Sequence, residues 1–289
     1  MSAGRNLMLS LYYHGTHPYR WWRARQLSAA GRMPVAVLFY HRVADDDATP
    51  WTCSSENFRR QIRWLKRHYD LVTLEEARQR VRSGRNHRPT VSITFDDGYQ
   101  ENCQVALPLL IREGIPFTYF VCSQFVVDGA PFPHDQALGL RLKPNTLAAL
   151  RDLVSAGVEI GSHTRTHADL GQLVDPSELY DELVMSRQEL SSALGCAIRY
   201  FAFPYGLQRN LNPLAFDMAR EAGYEAMCSA FGGFNYPGDD AFHLHRIHGE
   251  VSLLRLKNWL LPDPRKERRA RAGGGNSTAM IEAAGVCTT

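Results

Sequence analysis

Short apolar runs alternate with longer amphipathic stretches along most of this chain, and that alternation restricts the fold more than any other feature. Val35 to Tyr40, Val91 to Phe95, Phe117 to Val121, Val158 to Gly161, Tyr200 to Phe203 and Ala226 to Ser229 are brief, apolar and rich in β-branched or aromatic residues, as strands covered on both faces are. Helices are predicted over Glu56 to His68, Asn102 to Arg112, Thr146 to Ala156, Pro213 to Ala222 and Val251 to Leu261. Thr73-Leu-Glu-Glu76 is a capping box, in which the Thr and Glu side chains satisfy each other's free backbone N–H groups. Asp175-Pro-Ser-Glu178 offers an N-cap, a proline at the first helical position and a Glu one turn in. The helix after it places Leu179, Leu183, Leu190 and Leu194 near one face. Strand and helix in repeated alternation make an α/β fold with a parallel sheet, either a barrel or a doubly wound sheet. Both put function at the carboxyl ends of the strands.

Composition narrows the class. A chain of 289 residues with 44% hydrophobic content buries enough apolar surface to offset the entropy of folding. Its apolar runs fall far short of the roughly 20 residues that cross a bilayer. The formal charge is +3, but it sits at the ends. Residues 1–34 carry five arginines and no acid, and residues 263–289 carry five cations against three acids, leaving residues 35–262 at −4. A mildly acidic body argues against a groove for nucleic acid. The expected organisation is a basic extension (1–34), one folded domain (35–262) and a disordered tail (263–289).

The apolar run Leu7 to Tyr13 follows Arg5, but His14, His17, Pro18 and Arg20 stand where a leader would have a small-residue cleavage site. A cytoplasmic location is expected. Tyr19-Arg-Trp-Trp-Arg23 mixes aromatic and basic residues as an interfacial anchor would; the expectation here is a solvated helix that packs its tryptophans on the domain. Six cysteines include no C-x-x-C pair, which predicts buried reduced thiols.

Two clusters carry chemistry. The strand Val91 to Phe95 runs into Asp96-Asp97-Gly98-Tyr99, and adjacent carboxylates are costly unless a cation or proton relieves them. On an extended chain they point to opposite sides and are free to take different roles. A helix N-cap assisted by a second acid is the alternative. The strand Val158 to Gly161 runs into Ser162-His163-Thr-Arg-Thr-His167, two imidazoles at a spacing common for a divalent metal. Two His and one Asp leave a coordination position open, the pattern of a catalytic rather than a structural zinc. The second Asp is then available as a base.

Thr94-Phe-Asp-Asp-Gly98, His163-Thr-Arg-Thr-His167 and Phe203-Pro-Tyr-Gly206 resemble, in order and spacing, the first three motifs of the polysaccharide deacetylase family, carbohydrate esterases with a NodB homology domain. The resemblance covers roughly residues 35–247. It implies a distorted (β/α) barrel and metal-dependent removal of N-acetyl groups from amino-sugar glycans. By position it makes Asp96 the general base and Asp97, His163 and His167 the ligands of one divalent ion, Zn²⁺ first, with Co²⁺ or Ni²⁺ as alternatives. Pro204, Tyr205 and Gly206, with Tyr99, are the implied substrate contacts, the Tyr205 N–H meeting the oxyanion.

The sequence departs from the commonest family pattern in two places. Ala202 stands where an arginine usually holds the base, with Arg199 and Arg246 as candidate replacements. The late Leu-x-His motif is indistinct, although His245 and His248 lie in its region. Leu38-Phe-Tyr-His-Arg-Val43 resembles the early Tyr-His-x-Val segment of the exopolysaccharide poly-N-acetylglucosamine deacetylases. That branch has a permuted barrel, takes its acid from this histidine and lacks the third-motif arginine. His41 is therefore the preferred general acid, with His245 second. The expected partner is an N-acetylated glycan, with no nucleic acid and no more than a minor membrane contact through the N-terminal extension. Hydrolysis of a small amide, such as a sugar nucleotide, a lipid-linked sugar or a cyclic imide, and non-catalytic glycan binding are the competing readings.

Overall fold

The computed structural model describes residues 3–263. Eight strands, all parallel, lie side by side in one sheet. In spatial order they are His243–Leu244, Ala226–Cys228, Tyr200–Ala202, Glu159–Ser162, Phe117–Val121, Thr90–Phe95, Val35–Tyr40 and Arg246–His248. Asp70–Leu71 adds a short ninth strand beside Thr90–Phe95. The two ends of this path are consecutive in sequence, with only His245 between them, so the sheet curls into a nearly closed barrel of the NodB type. All-parallel strands need both faces covered, and every residue of Val35–Tyr40, Thr90–Phe95 and Phe117–Val121 is buried.

Helices Ser55–His68, Leu74–Arg82, Leu147–Ser155 and Pro213–Ala222 form where the sequence predicts them, within a residue or two. Caps decide their starts: Ser54, Thr73, Thr146 and Asn212 each accept a backbone N–H of the first turn. The predicted helix Asn102 to Arg112 is instead a 3₁₀ turn, Gln100–Cys103, followed by Ala106–Arg112. The break frees Asn102, whose amide donates to the His41 carbonyl (2.6 Å) and accepts from the Val43 N–H (2.9 Å). After Asp175 the predicted helix is interrupted by a π-turn, Asp181–Met185, between Pro176–Tyr180 and Ser186–Leu194.

The N-terminal extension is a helix, Ala3–Ala29, and it packs on the helix Leu253–Leu260. Its tryptophans do not make that contact: Trp21 and Trp22 are exposed, whereas Arg20 is fully buried. The guanidinium reaches the Asn258 side chain (2.6 Å) and the carbonyls of Asn258 and Leu261, because helix-end carbonyls lack intrahelical partners. Among the described residues no helix is long and apolar enough to cross a membrane. Cys53, Cys103, Cys122, Cys196 and Cys228 are free thiols, and Cys287 lies outside the described residues, as does the tail expected to be disordered beyond Asp263.

Candidate active site

The carboxyl ends of five strands bring the site together. Asp96 and Asp97 leave Thr90–Phe95, His163 and His167 follow Glu159–Ser162, Tyr205 follows Tyr200–Ala202, His41 follows Val35–Tyr40, and Glu250 follows Arg246–His248. Among the described residues, five non-glycine residues have positive φ, and Asp97 (65°), Thr164 (66°), His167 (62°) and Tyr205 (59°) lie in these loops. Each such residue stores backbone strain, of order 1 kcal/mol or more, that the surroundings must hold.

The carboxylate pair divides its contacts as opposite-pointing neighbours should. Asp96 is buried and takes a two-pronged grip from Arg246, Nη1 to Oδ1 at 2.6 Å and Nη2 to Oδ2 at 2.8 Å. Arg246 is itself fully buried, donates to the Ser229 carbonyl (3.1 Å), and lies over the rings of Phe39 and Phe120. Burial opposes the charge on Asp96, but the Arg246 guanidinium outweighs it and holds the carboxyl below its usual range. The arginine missing at Ala202 therefore has its counterpart in Arg246. Arg199 faces Glu159 and Glu225 instead.

Asp97 faces the histidines. Its Oδ1 is buried with no aligned hydrogen-bond donor, while His163 Nε2 and His167 Nε2 stand 3.4 and 3.2 Å away. His163 Nδ1 lies 2.8 Å from the Ala202 carbonyl. A carbonyl only accepts, so Nδ1 carries the proton and Nε2 presents a lone pair to the carboxylate oxygen. A lone pair facing an anion is unfavourable unless a cation lies between them. Ligands about a tetrahedral zinc at roughly 2.0–2.1 Å stand about 3.3 Å apart, so these three atoms fit a divalent ion, and the Ala202 carbonyl is the outer partner that orients one imidazole.

Behind this loop stands Glu182, delivered by the π-turn. Its Oε2 accepts the N–H groups of Arg165 and Thr166 (2.9 Å each) and its Oε1 accepts the Thr166 hydroxyl (2.6 Å). Ser186, one turn on, bonds the Ser162 hydroxyl (2.7 Å) and donates to the Thr164 carbonyl (3.0 Å). Insertion of one residue into a helix shifts its face and re-aims the side chains, and such turns recur at functional sites.

His41 stands on the other side, its side chain 22% exposed, with Nδ1 at 3.1 Å from Glu250 Oε2. Glu250 also accepts the backbone N–H groups of His41 and Arg42, and lies 3.3 Å from His248 Nε2. Burial favours neutral His41, but Glu250, with Asp97 and Asp96 farther off, raises its pKa to about 9. His41, His248 and Glu250 form a second group with atoms close enough to share an ion. The Glu250 hydrogen bonds account for that proximity without one.

Tyr205 projects over His167, ring centroids 5.2 Å apart, and is 56% exposed. The Pro204 turn is closed by Gly206 N–H to the Pro204 carbonyl (2.5 Å), which leaves the Tyr205 N–H outside the turn's own bond. Gly206 has no room for a side chain, since a Cβ there would come within 2.6 Å of the Ala230 nitrogen. Tyr99 turns away from the opening: it is fully buried, and its hydroxyl meets Asp135 (2.9 Å), His134 (2.9 Å) and Trp51 Nε1 (3.1 Å). His245 meets the Phe231 ring edge-to-face and stacks on His243, and is not gathered with the carboxylates. Glu250 and Glu182 were not predicted from sequence, and His248 was offered only as a residue in the region of the late motif. An acid two residues beyond a strand end was the available signal for Glu250, but the strand Arg246–His248 was itself not predicted.

A parallel barrel with carboxylates and imidazoles gathered at its strand ends is the architecture of an enzyme whose chemistry lies at that face. A polysaccharide deacetylase family model matches residues 83–227, and the chain belongs to that family, hydrolases of carbon–nitrogen bonds. It is 24% identical to the YxkH protein of Bacillus subtilis (strain 168) over 215 residues, 74% of this chain and 70% of that one. It is 27% identical over 169 residues to a poly-beta-1,6-N-acetyl-D-glucosamine N-deacetylase of Staphylococcus aureus, covering 55% of this chain and 56% of the relative. Among solved structures, IcaB from Ammonifex degensii superposes with a TM-score of 0.65 at 25% identity, covering 79% of this chain and 97% of that one. The Streptococcus pyogenes deacetylase PplD shares the fold, with a TM-score of 0.66 at 20% identity, over 80% of this chain and all of that one.

Proposed function

We propose that this chain removes N-acetyl groups from an amino-sugar glycan, with a single divalent ion held by Asp97, His163 and His167. The observation that carries the proposal is the split of one Asp-Asp pair, Asp96 to a buried guanidinium and Asp97 to two imidazoles. A zinc-like ion at Asp97 supplies Lewis-acid activation of water near neutral pH. Asp96, kept ionised by Arg246, accepts the proton of the attacking water. The Tyr205 N–H, outside its turn's hydrogen bond, donates to the oxyanion; losing one such donor costs roughly 3 kcal/mol of barrier. His41, protonated and oriented through Nδ1 by Glu250, gives its proton to the departing amine. Water and amide become acetate and free amine. Similarity to relatives named for poly-N-acetylglucosamine and chito-oligosaccharide deacetylation supports a glycan substrate.

The test is acetate release from a panel of N-acetylated glycans, including β-1,6- and β-1,4-linked oligomers of N-acetylglucosamine, by protein stripped with chelator and then supplied with Zn²⁺ or Co²⁺. Release that returns with the metal and is lost in His163→Ala is expected. Release unaffected by chelation, or by His163→Ala, overturns the ligand assignment. No release from the panel overturns the substrate assignment.

A further inference from the structure

Tyr99 is buried, yet its hydroxyl reaches the opening of the site through a neighbour. After the strand Phe117–Val121 and before the helix Leu147–Ser155, the chain leaves the carboxyl end of the barrel in a segment with two short helices, Ser123–Asp128 and Pro133–Ala137. Phe132 and Leu142 of this segment pack with Tyr99 in a small apolar cluster of their own, which Trp51 joins from the loop before Thr52–Cys53. The Gln100 N–H donates to the Lys143 carbonyl (2.9 Å) and the Asn145 N–H to the Gly98 carbonyl (2.7 Å), which pins the segment to the chain just after Asp97.

This cluster presents His134 to the site. The His134 side chain is 26% exposed, and its ring lies 5.2 Å from that of His167, centroid to centroid. It is not gathered with the three atoms that fit an ion, so it stands beside the metal ligands without being one. Phe132 stacks on it, planes 18° apart, and Trp51 meets it edge-to-face. The hydrogen bonds decide which of its nitrogens is free. Burial lifts the pKa of Asp135 only to about 6, so near and above neutral pH its buried carboxylate is charged. The Tyr99 hydroxyl (2.9 Å) is the one hydrogen-bond donor it has among the described residues, and Oδ1 has none. The single phenolic proton is therefore committed to Asp135. The Tyr99 oxygen accepts from Trp51 Nε1 (3.1 Å), and its second lone pair faces His134 Nε2 (2.9 Å), which must then carry the proton. Burial pushes the imidazole pKa down, so the ring is neutral. Its Nδ1 keeps a lone pair with no protein partner among the described residues.

We propose that His134 Nδ1 accepts a hydrogen bond from the sugar hydroxyl next to the acetamido group under attack, and so selects N-acetylated sugars over amides that lack such a hydroxyl. This rests on the deacetylase reading given above. An acceptor one imidazole away from the metal ligands meets groups close to the reacting carbonyl. In an amino sugar the acetamido carbon has two ring neighbours. One bears the anomeric oxygen, which is glycosidic within a chain and has no proton, and the other bears the 3-hydroxyl, which always has one to give. The ring is already held by Phe132 on its face, Trp51 at its side and Tyr99 at Nε2, so binding costs little ordering of the side chain. Tyr99, implied by the family resemblance as a substrate contact, takes part here as a positioning residue that fixes the tautomer of His134.

The test compares acetate release from the β-1,6-linked dimer of N-acetylglucosamine and from its 3-deoxy analogue, at slightly alkaline pH. Zinc-loaded wild type, His134→Gln and His134→Asn are measured, with bound metal counted in each by atomic absorption. Wild type should favour the parent sugar by about tenfold or more in kcat/KM, because the analogue leaves the acceptor unpaired. Gln keeps a donor toward Tyr99 but places no acceptor where Nδ1 stands, so His134→Gln should bind its metal in full and lose most of that preference. Asn carries its oxygen near the Nδ1 position, and His134→Asn should retain part of it. Wild type that cleaves both sugars equally, or a Gln variant that discriminates as wild type does, overturns this inference and leaves the deacetylase reading standing. A Gln variant short of metal also overturns it, making His134 a support for His167 instead. Wild type that releases acetate from no glycan overturns both.

Discussion

Removing the Arg246 guanidinium would leave the Asp96 carboxylate buried with no counter-charge. Breaking such a pair from one side costs about 3–5 kcal/mol of stability, and Arg246→Ala is expected to unfold at correspondingly lower denaturant. Arg246→Lys keeps the charge but not the two-pronged geometry. Because Arg246 holds the Asp96 carboxyl down, its loss raises that pKa, and the acidic limb of the kcat/KM profile of Arg246→Lys should move to higher pH. Glu250→Gln should act at the other limb. His41, raised to about 9, is charged below that pH and discharges above it. Without the Glu250 carboxylate its pKa falls, so the basic limb should move to lower pH, with a loss in kcat of about 10²-fold or more as the acid is misaligned. An unmoved basic limb would remove His41 from the role of acid.

Asp96, Asp97, His163 and His167 were legible because each pair lies within five residues of chain and follows a strand that alternation alone reveals. Arg246 could be offered only as one of two candidates, beside Arg199, and Glu250 not at all, since 150 or more residues separate each from its partner, and nothing local marks a guanidinium or carboxylate that only barrel closure brings into place.

At the scale of elements, the π-turn Asp181–Met185 offers the clearest test. Its Glu182 holds two backbone N–H groups and a hydroxyl of the loop between the histidines. Glu182→Ala should keep the barrel but loosen the loop, lowering metal affinity about 10–100-fold, as measured by competition with a chromophoric chelator. Unchanged affinity would make the π-turn a packing feature only. Long strands and capped helices were readable from periodicity and caps. The π-turn was not, because an apolar pattern of period 3.6 hides one extra residue. Strands of two and three residues built from His243-Leu244 and Arg246-Ile-His248 were missed because they are too short and too polar to show a period.

At the scale of the whole molecule, an ion that binds only the folded state adds RT ln(1 + [M]/Kd), about 2.7 kcal/mol at a hundredfold excess over Kd. For a domain of this size each kcal/mol moves Tm by about 2–4 °C, so Zn²⁺ should raise the chelated protein's Tm by roughly 5–10 °C. His163→Ala should abolish that rise. Calorimetry or dye-based melting reads it directly, and an equal rise in both proteins would place the ion elsewhere.

The seam of the barrel, where its first and last strands in space are neighbours in sequence, also bears on how the protein is made. Asp96 is synthesised 150 residues ahead of the guanidinium that neutralises it. While the chain grows, the strand Thr90–Phe95 ends in a charge that the forming core cannot shelter, and only the arrival of residues 246–250 supplies both Arg246 and Glu250. A ribosome that stalls short of that point releases a product without a closed barrel or a working site, open to proteases as incomplete folds are. The residues that the proposed chemistry calls on thus also act as a check on the completeness of the fold.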